Sequence, residues 1–227
     1  MPFQGTLVNV VAVLVGGSLG LILGDRLPDR FKTIILSALG LGTLLIGIKL
    51  SVLTDHIGLI IVALVAGAVT GTLLDLEGRL EGVGRRLQAR FARDSRTFVT
   101  GFVSASLLFC VGPMTVVGSI QDGTIGDATL LYAKSVLDGF AALALAAGLG
   151  VGVLFAALTV LIVQGGITAA GAGLVDVTSS VVINEMSATG GVLILGIGLY
   201  LLDIKRLPLA NFLPALVYIV PLTWWAN

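Results

Sequence analysis

Between Gly112 and Asp138 the sequence GPMTVVGSIQDGTIGDATLLYAKSVLD brings a Gly-Pro break, three aspartates, a lysine and a glutamine into a chain that is otherwise apolar. Intramembrane polar groups are costly and commonly mark ion or solute paths. Gly112-Pro113 falls inside an apolar run. Proline lacks a backbone donor and frees carbonyls one turn back; the result is either a broken helix lining a cavity or a simple kink satisfied by neighbours. Lys134 and Asp138 are four apart, on one helix face, a spacing that suits an ion pair. That pair either neutralises itself at the interface or is exchanged for a substrate or proton. Gln121, Asp122 and Asp127 read as a solvated loop shaped by Gly123 and Gly126.

Two further groups carry possible chemistry. Gln164 precedes Gly165-Gly166, and Asn9 sits in an equivalent helix; amides of this kind form interhelical hydrogen bonds. Asn184, Glu185, Ser187 and Thr189 open the run NEMSATGG. Their oxygens are hard ligands that could hold Na⁺, or the carboxyl could carry a proton. Alternatively Glu185 lies in the first turn of a helix, where the dipole favours negative charge.

Other chemistries find little support. His56 is the single histidine and Cys110 the single cysteine, so no soft-metal cluster is expected. No phosphate-binding glycine loop ends in Lys-Ser/Thr, which argues against ATP-driven pumping. Neither a cofactor nor a nucleic-acid partner is expected, and no catalytic group is assigned.

The elements that must position these residues follow from composition. Hydrophobic residues make up 56% of 227 positions, charged residues 11%, and the mean hydropathy is +1.08. Soluble domains carry about a quarter charged residues, so lipid is the expected solvent. Apolar runs of spanning length lie at about 6–24, 33–50, 57–75, 98–119, 134–151, 152–171, 186–203 and 208–225. Residues 136–174 form one stretch too long for a single crossing, and Gly148, Gly150 and Gly152 offer a turn within it. The expectation is an all-α polytopic membrane protein of about eight spans, without a cleavable signal peptide.

Arg26, Arg30 and Lys32, six arginines from Arg79 to Arg96, and Lys205 with Arg206 follow spans one, three and seven. Positive residues favour the cytoplasmic side, which places both termini outside. Between spans three and four, Leu76, Leu80, Val83, Leu87 and Phe91 recur at helical spacing. Arg79, Arg86, Arg90 and Arg93 take the other faces. This predicts an amphipathic surface helix, either a topological anchor or a binder of anionic headgroups.

Sliding the chain on itself by 149 residues places Gly16-Gly17 on Gly165-Gly166. The same offset matches Gly42, Leu44, Gly47, Ile48 and Leu50 with Gly191, Leu193, Gly196, Ile197 and Leu199. The chain then divides into repeat 1 (about 5–75), the surface helix (about 76–96), a central pair (about 97–151) and repeat 2 (about 152–225), all within one membrane domain. Spans 1–3 and 6–8 would be inverted, an architecture frequent in secondary transporters.

The segments GPMTVVGSIQDGTIGD, AKSVLDGFAAL, LGVGVLF, VQGG and NEMSATGGVLILGIGL, with GTLVNVVAVLVGGSLG near the start, resemble the YdfK/YqgA-like family of bacterial inner-membrane proteins (domain-of-unknown-function family 554). The resemblance covers nearly the whole chain. Val111 departs from it, standing where a small or polar residue is expected. It implies a polytopic protein of the bacterial inner membrane and supplies no substrate or catalytic residue.

The expected function is a homo-oligomeric secondary transporter for a small polar solute or ion, coupled to H⁺ or Na⁺. Its pathway residues would be Gly112, Pro113, Gln121, Asp122, Lys134, Asp138, Gln164, Asn184, Glu185, Ser187 and Thr189. The alternatives are an ion channel or passive pore, and a non-transporting scaffold.

Overall fold

A computed structural model of the chain describes residues 3–26, 28–92, 95–111, 113–171 and 180–226. Among these every regular element is helical: α1 (Gln4–Arg26), α2 (Asp29–Ser51), α3 (Ile57–Leu73), α4 (Leu76–Phe91), α5 (Phe98–Cys110), α6 (Pro113–Thr124), α7 (Thr129–Leu149), α8 (Gly152–Ala170), α9 (Ser180–Leu201), a 3-10 turn (Leu209–Phe212) and α10 (Ala215–Ala226).

Five segments are long and apolar enough to cross a membrane: Gln4–Gly24, α7, α8, α9 and Leu209–Ala226. Two bent pairs, α3–α4 (55°) and α5–α6 (60°), bring the total to seven if each is one span. The expected eight are thus reached only in part. Within α2, Leu36–Ser51 is a shorter apolar helix among the described residues.

The chain forms two compact units. In the first, α1 turns a stripe of small and polar residues inward: Gly5, Thr6, Asn9, Val13, Gly16, Gly17, Gly20 and Gly24 are buried. Leu7, Val11, Leu14, Val15, Ile22 and Leu23 face outward. That is the membrane arrangement, in which apolar side chains meet lipid and small ones let helices approach. Gly16, Gly20 and Gly24 lie in turn against the backbone of Gly139, Leu143 and Ala147, so α1 and α7 run parallel. Gly17 against Leu154 and Asn9 against Gln164 make α8 antiparallel to α1. Helix α5 packs alongside α8, through Gly101 on Val153, Phe98 on Phe155 and a Ser106–Thr159 hydrogen bond of 2.9 Å.

In the second unit α2 and α9 cross antiparallel, Gly40 meeting Leu202, Leu44 meeting Gly198 and Gly47 meeting Leu195. Helix α3 also runs antiparallel to the Leu209–Ala226 segment, Gly67 meeting Ala215 and Gly71 meeting Asn211, and a Thr70–Tyr218 hydrogen bond of 2.9 Å joins α3 to α10. Glu77 ties the 3-10 turn: its Oε2 accepts from the Ala210 N–H at 2.7 Å, and its own N–H donates to Asn211 Oδ1 at 2.8 Å.

The amphipathic segment expected at 76–96 is α4, closed by Phe91. Its Gly84 abuts Phe102, Val83 and Phe91 are exposed, and Glu81 pairs with Arg85 at 2.7 Å. Arg93 lies outside the described residues.

Candidate functional site

The α5–α6 break has a definite chemistry. In a continuous helix the Phe109 carbonyl would accept the N–H of the residue four further on, which is Pro113 and has none. Proline instead occupies the first position of a new helix, where a missing donor costs nothing. The buried Thr115 hydroxyl fills the gap, donating to the Phe109 carbonyl at 3.0 Å. Gly112 lies outside the described residues. Thr115→Val should therefore cost about 1–3 kcal/mol by stranding a buried carbonyl, whereas Thr115→Ser should cost much less. Thermal unfolding of the two variants measures the difference.

A buried polar network joins α1, α7 and α8. Lys134 and Asp138, with side chains 6% and 11% exposed, form an ion pair on the inward face of α7. Asn9 Nδ2 donates to Asp138 Oδ2 and to Gln164 Oε1, each at 2.9 Å. Gln164 Nε2 donates to Thr6 Oγ1 at 3.3 Å, and Thr168 Oγ1 donates to the Gln164 carbonyl at 3.0 Å. Cys110, at the end of α5, is within electrostatic reach of Lys134 and Asp138. Asn9 Oδ1 is buried with no hydrogen-bond partner among the described residues. The network thus holds one positive charge, one negative charge and two amides, in helices whose outer faces are apolar.

The sequence places Gln121 and Asp122 in a solvated loop; the structure corrects this. Helix α6, restarted at Pro113, runs on to Thr124, so both residues are helical. Gln121 is half-buried and Asp122 fully buried. The loop proper is 125–128, turned by Gly126 at φ +72°. Asp127 is exposed there and opens α7, its Oδ1 accepting the Thr129 N–H at 2.9 Å. Hydrogen bonds from the Thr129 side chain and backbone hold its carboxyl below the usual value. This contact is therefore present at neutral pH and lost only on strong acidification.

In the second unit Glu185 is buried, within α9 rather than in its first turn. Its Oε2 accepts from Thr54 Oγ1 at 2.6 Å and its Oε1 from the Asp55 N–H at 3.3 Å. Thr54 Oγ1 in turn accepts the His56 N–H at 2.8 Å. The carboxylate thus anchors the turn that starts α3, where unpaired N–H groups favour negative charge. Asn184 is exposed and outside this arrangement. Thr189 donates to the Glu185 carbonyl at 2.8 Å and Ser187 to the Ile183 carbonyl, so both hydroxyls satisfy their own helix. Glu185→Ala should destabilise by about 1–3 kcal/mol, since it removes the buried carboxylate that accepts from the half-buried Thr54 hydroxyl and the Asp55 N–H; Glu185→Gln, which keeps an acceptor, should cost less. Chemical unfolding of both variants checks this.

Sequence reading did not single out Thr6, Thr115, Ser119 or Thr168. The inward stripe of α1 was the available signal for Thr6, which shares a face with Asn9.

The family described as "Protein of unknown function (DUF554)" matches residues 4–224. The chain is 34% identical over 224 residues to the uncharacterized protein YqgA of Escherichia coli (strain K12), covering 96% of this chain and 95% of that protein. It is 31% identical over 219 residues to the uncharacterized membrane protein YdfK of Bacillus subtilis (strain 168), covering 94% and 92%. No solved structure matches.

Proposed function

This chain belongs to the DUF554 family of proteins of unknown function, and from that premise we propose that it is a secondary transporter of a small polar solute or ion in the bacterial inner membrane, driven by H⁺ or Na⁺. The observation that carries the reading is the Asn9–Lys134–Asp138–Gln164 network, buried on three helices beside an interrupted fourth. A scaffold has no need to place an ion pair among spanning helices, and well-packed apolar residues would hold such helices at least as firmly.

The packing also supports an inverted repeat. Under the 149-residue offset the mates of α1, α2 and α3 are α8, α9 and α10, and each helix packs antiparallel on its own mate. The crossings fall close to repeat-equivalent positions: Gly47 beside Leu195, whose neighbour Gly196 is its mate, and Gly67 beside Ala215, whose neighbour Leu216 is its mate. A local two-fold relation at each crossing is what inverted repeats produce. Parallel α1 and α7 and antiparallel α8 fit spans one, five and six of an eight-span topology with both termini outside. In that topology α4 lies on the cytoplasmic surface and the α5–α6 pair is the broken fourth span.

Proteoliposomes test the reading. A transporter gives saturable uptake of a solute from a polar panel, dependent on an imposed H⁺ or Na⁺ gradient. Discrete single-channel currents without such dependence would favour a pore, and absence of any flux would favour a scaffold.

A further inference from the structure

Asp122 and Ser119 form a group that the Lys134–Asp138 network leaves unexplained. They lie three residues apart in α6, one turn and on adjoining faces. Both are fully buried. Neither Asp122 carboxylate oxygen, nor Ser119 Oγ, has a hydrogen-bond partner among the described residues. A buried carboxyl group with no partner among the described residues calls for a ligand or ion to offset the cost of its burial.

Its surroundings can be read from the helix contacts. Gly118 faces Leu131 of α7, and Gly123 faces the Thr168 backbone of α8. At about 100° per residue, Ser119 and Asp122 point between those two directions, into the wedge between α7 and α8. The start of α1 adjoins the same wedge, with Gly5 against Leu131 and Thr6 Oγ1 3.5 Å from Thr168 Oγ1. Of the helices that meet here, α7 carries Lys134 and Asp138, which pair with each other, and the described polar residues of α1 and α8 nearby are the neutral Thr6, Asn9, Gln164 and Thr168. Among the described residues around the wedge, no free cation faces the Asp122 carboxyl group.

We infer that Asp122 and Ser119 hold a monovalent metal cation of the size of sodium. The donors are oxygens, which suit hard cations, and a single positive charge balances the carboxylate where a divalent ion would overcompensate. Ser119 Oγ and the Asp122 oxygens, although one turn apart, do not hydrogen-bond to each other. A cation with metal–oxygen distances of roughly 2.4 Å bridges such a gap, whereas a proton would not draw in the hydroxyl. This site specifies the coupling ion of the proposed transporter and rests on that reading for its role, but not for its existence.

The test uses the full chain in lipid nanodiscs. Saturable binding of radiolabelled sodium is expected, together with a melting temperature that rises in sodium chloride but not in N-methyl-D-glucamine chloride of equal ionic strength. Asp122→Asn should weaken binding about tenfold or more and Ser119→Ala by a smaller factor, with both variants monodisperse. Should Asp122→Asn fail to fold, the Ser119→Ala titration decides alone. Equal melting in both salts, stabilisation that follows pH alone, or undiminished sodium binding by both variants would overturn the assignment. Sodium binding without solute flux would keep this site and sink the transport reading; gradient-driven flux indifferent to sodium would do the reverse.

Discussion

Lys134→Ala is expected to destabilise the protein by about 3–5 kcal/mol, because it leaves the Asp138 carboxylate buried without its counter-charge. The pair is enclosed, with side chains 6% and 11% exposed, and among the described residues Asn9 supplies a further donor to Asp138. Asp138→Ala should cost a similar amount by stranding the ammonium. Removing both charges in Lys134→Met/Asp138→Leu should recover most of the loss, since apolar residues of like volume replace a buried pair at little cost. The coupling follows from a double-mutant cycle on unfolding in mixed micelles. If the single variants lost under about 1 kcal/mol, the pair would behave as a solvated surface bridge and its placement would be wrong.

The second large effect is steric. Gly16, Gly20 and Gly24 bring α1 onto the backbone of α7, and a Cβ at Gly24 would stand 2.7 Å from the Ala147 carbonyl oxygen. Gly16 and Gly20 meet the Gly139 and Leu143 carbonyl oxygens more closely still. Side chains placed there push the helices apart, so Gly20→Val should cost about 1–3 kcal/mol or more, and Gly16→Val/Gly20→Val should give no monodisperse protein. Gly42, with open space around its Cβ position, is the control. Gly42→Ala should be neutral or stabilising by up to about 1 kcal/mol through helix propensity. Size-exclusion profiles and melting temperatures separate the two outcomes.

Local geometry was legible in the sequence where it depends on neighbours along the chain. The spacing of Lys134 and Asp138 puts them together because a helix brings i and i+4 onto one face. Pro113 marks a break or a kink because it offers no N–H to the preceding turn, and the structure makes it the start of α6. Partners far apart in sequence were not legible: nothing local links Asn9 to Asp138, or Thr54 to Glu185, since those bonds come from helix packing. Asp122 was misplaced for a related reason. Its neighbours Gly123 and Gly126 suggest a loop, but tertiary packing of Gly123 on α8 carries α6 to Thr124 and buries the carboxylate. The eight expected spans are met in part: five segments qualify alone and α3–α4 and α5–α6 are bent pairs, the second bent where the sequence places the Gly-Pro break.

We propose that the buried network on α1, α7 and α8 is the solute pathway rather than a structural brace. Gradient-driven uptake into proteoliposomes, comparing the native protein with Lys134→Met/Asp138→Leu at matched stability, tests this most directly. Saturable uptake is expected for the native protein and none for the double variant, despite its intact fold. Native-level uptake by a folded double variant would contradict it.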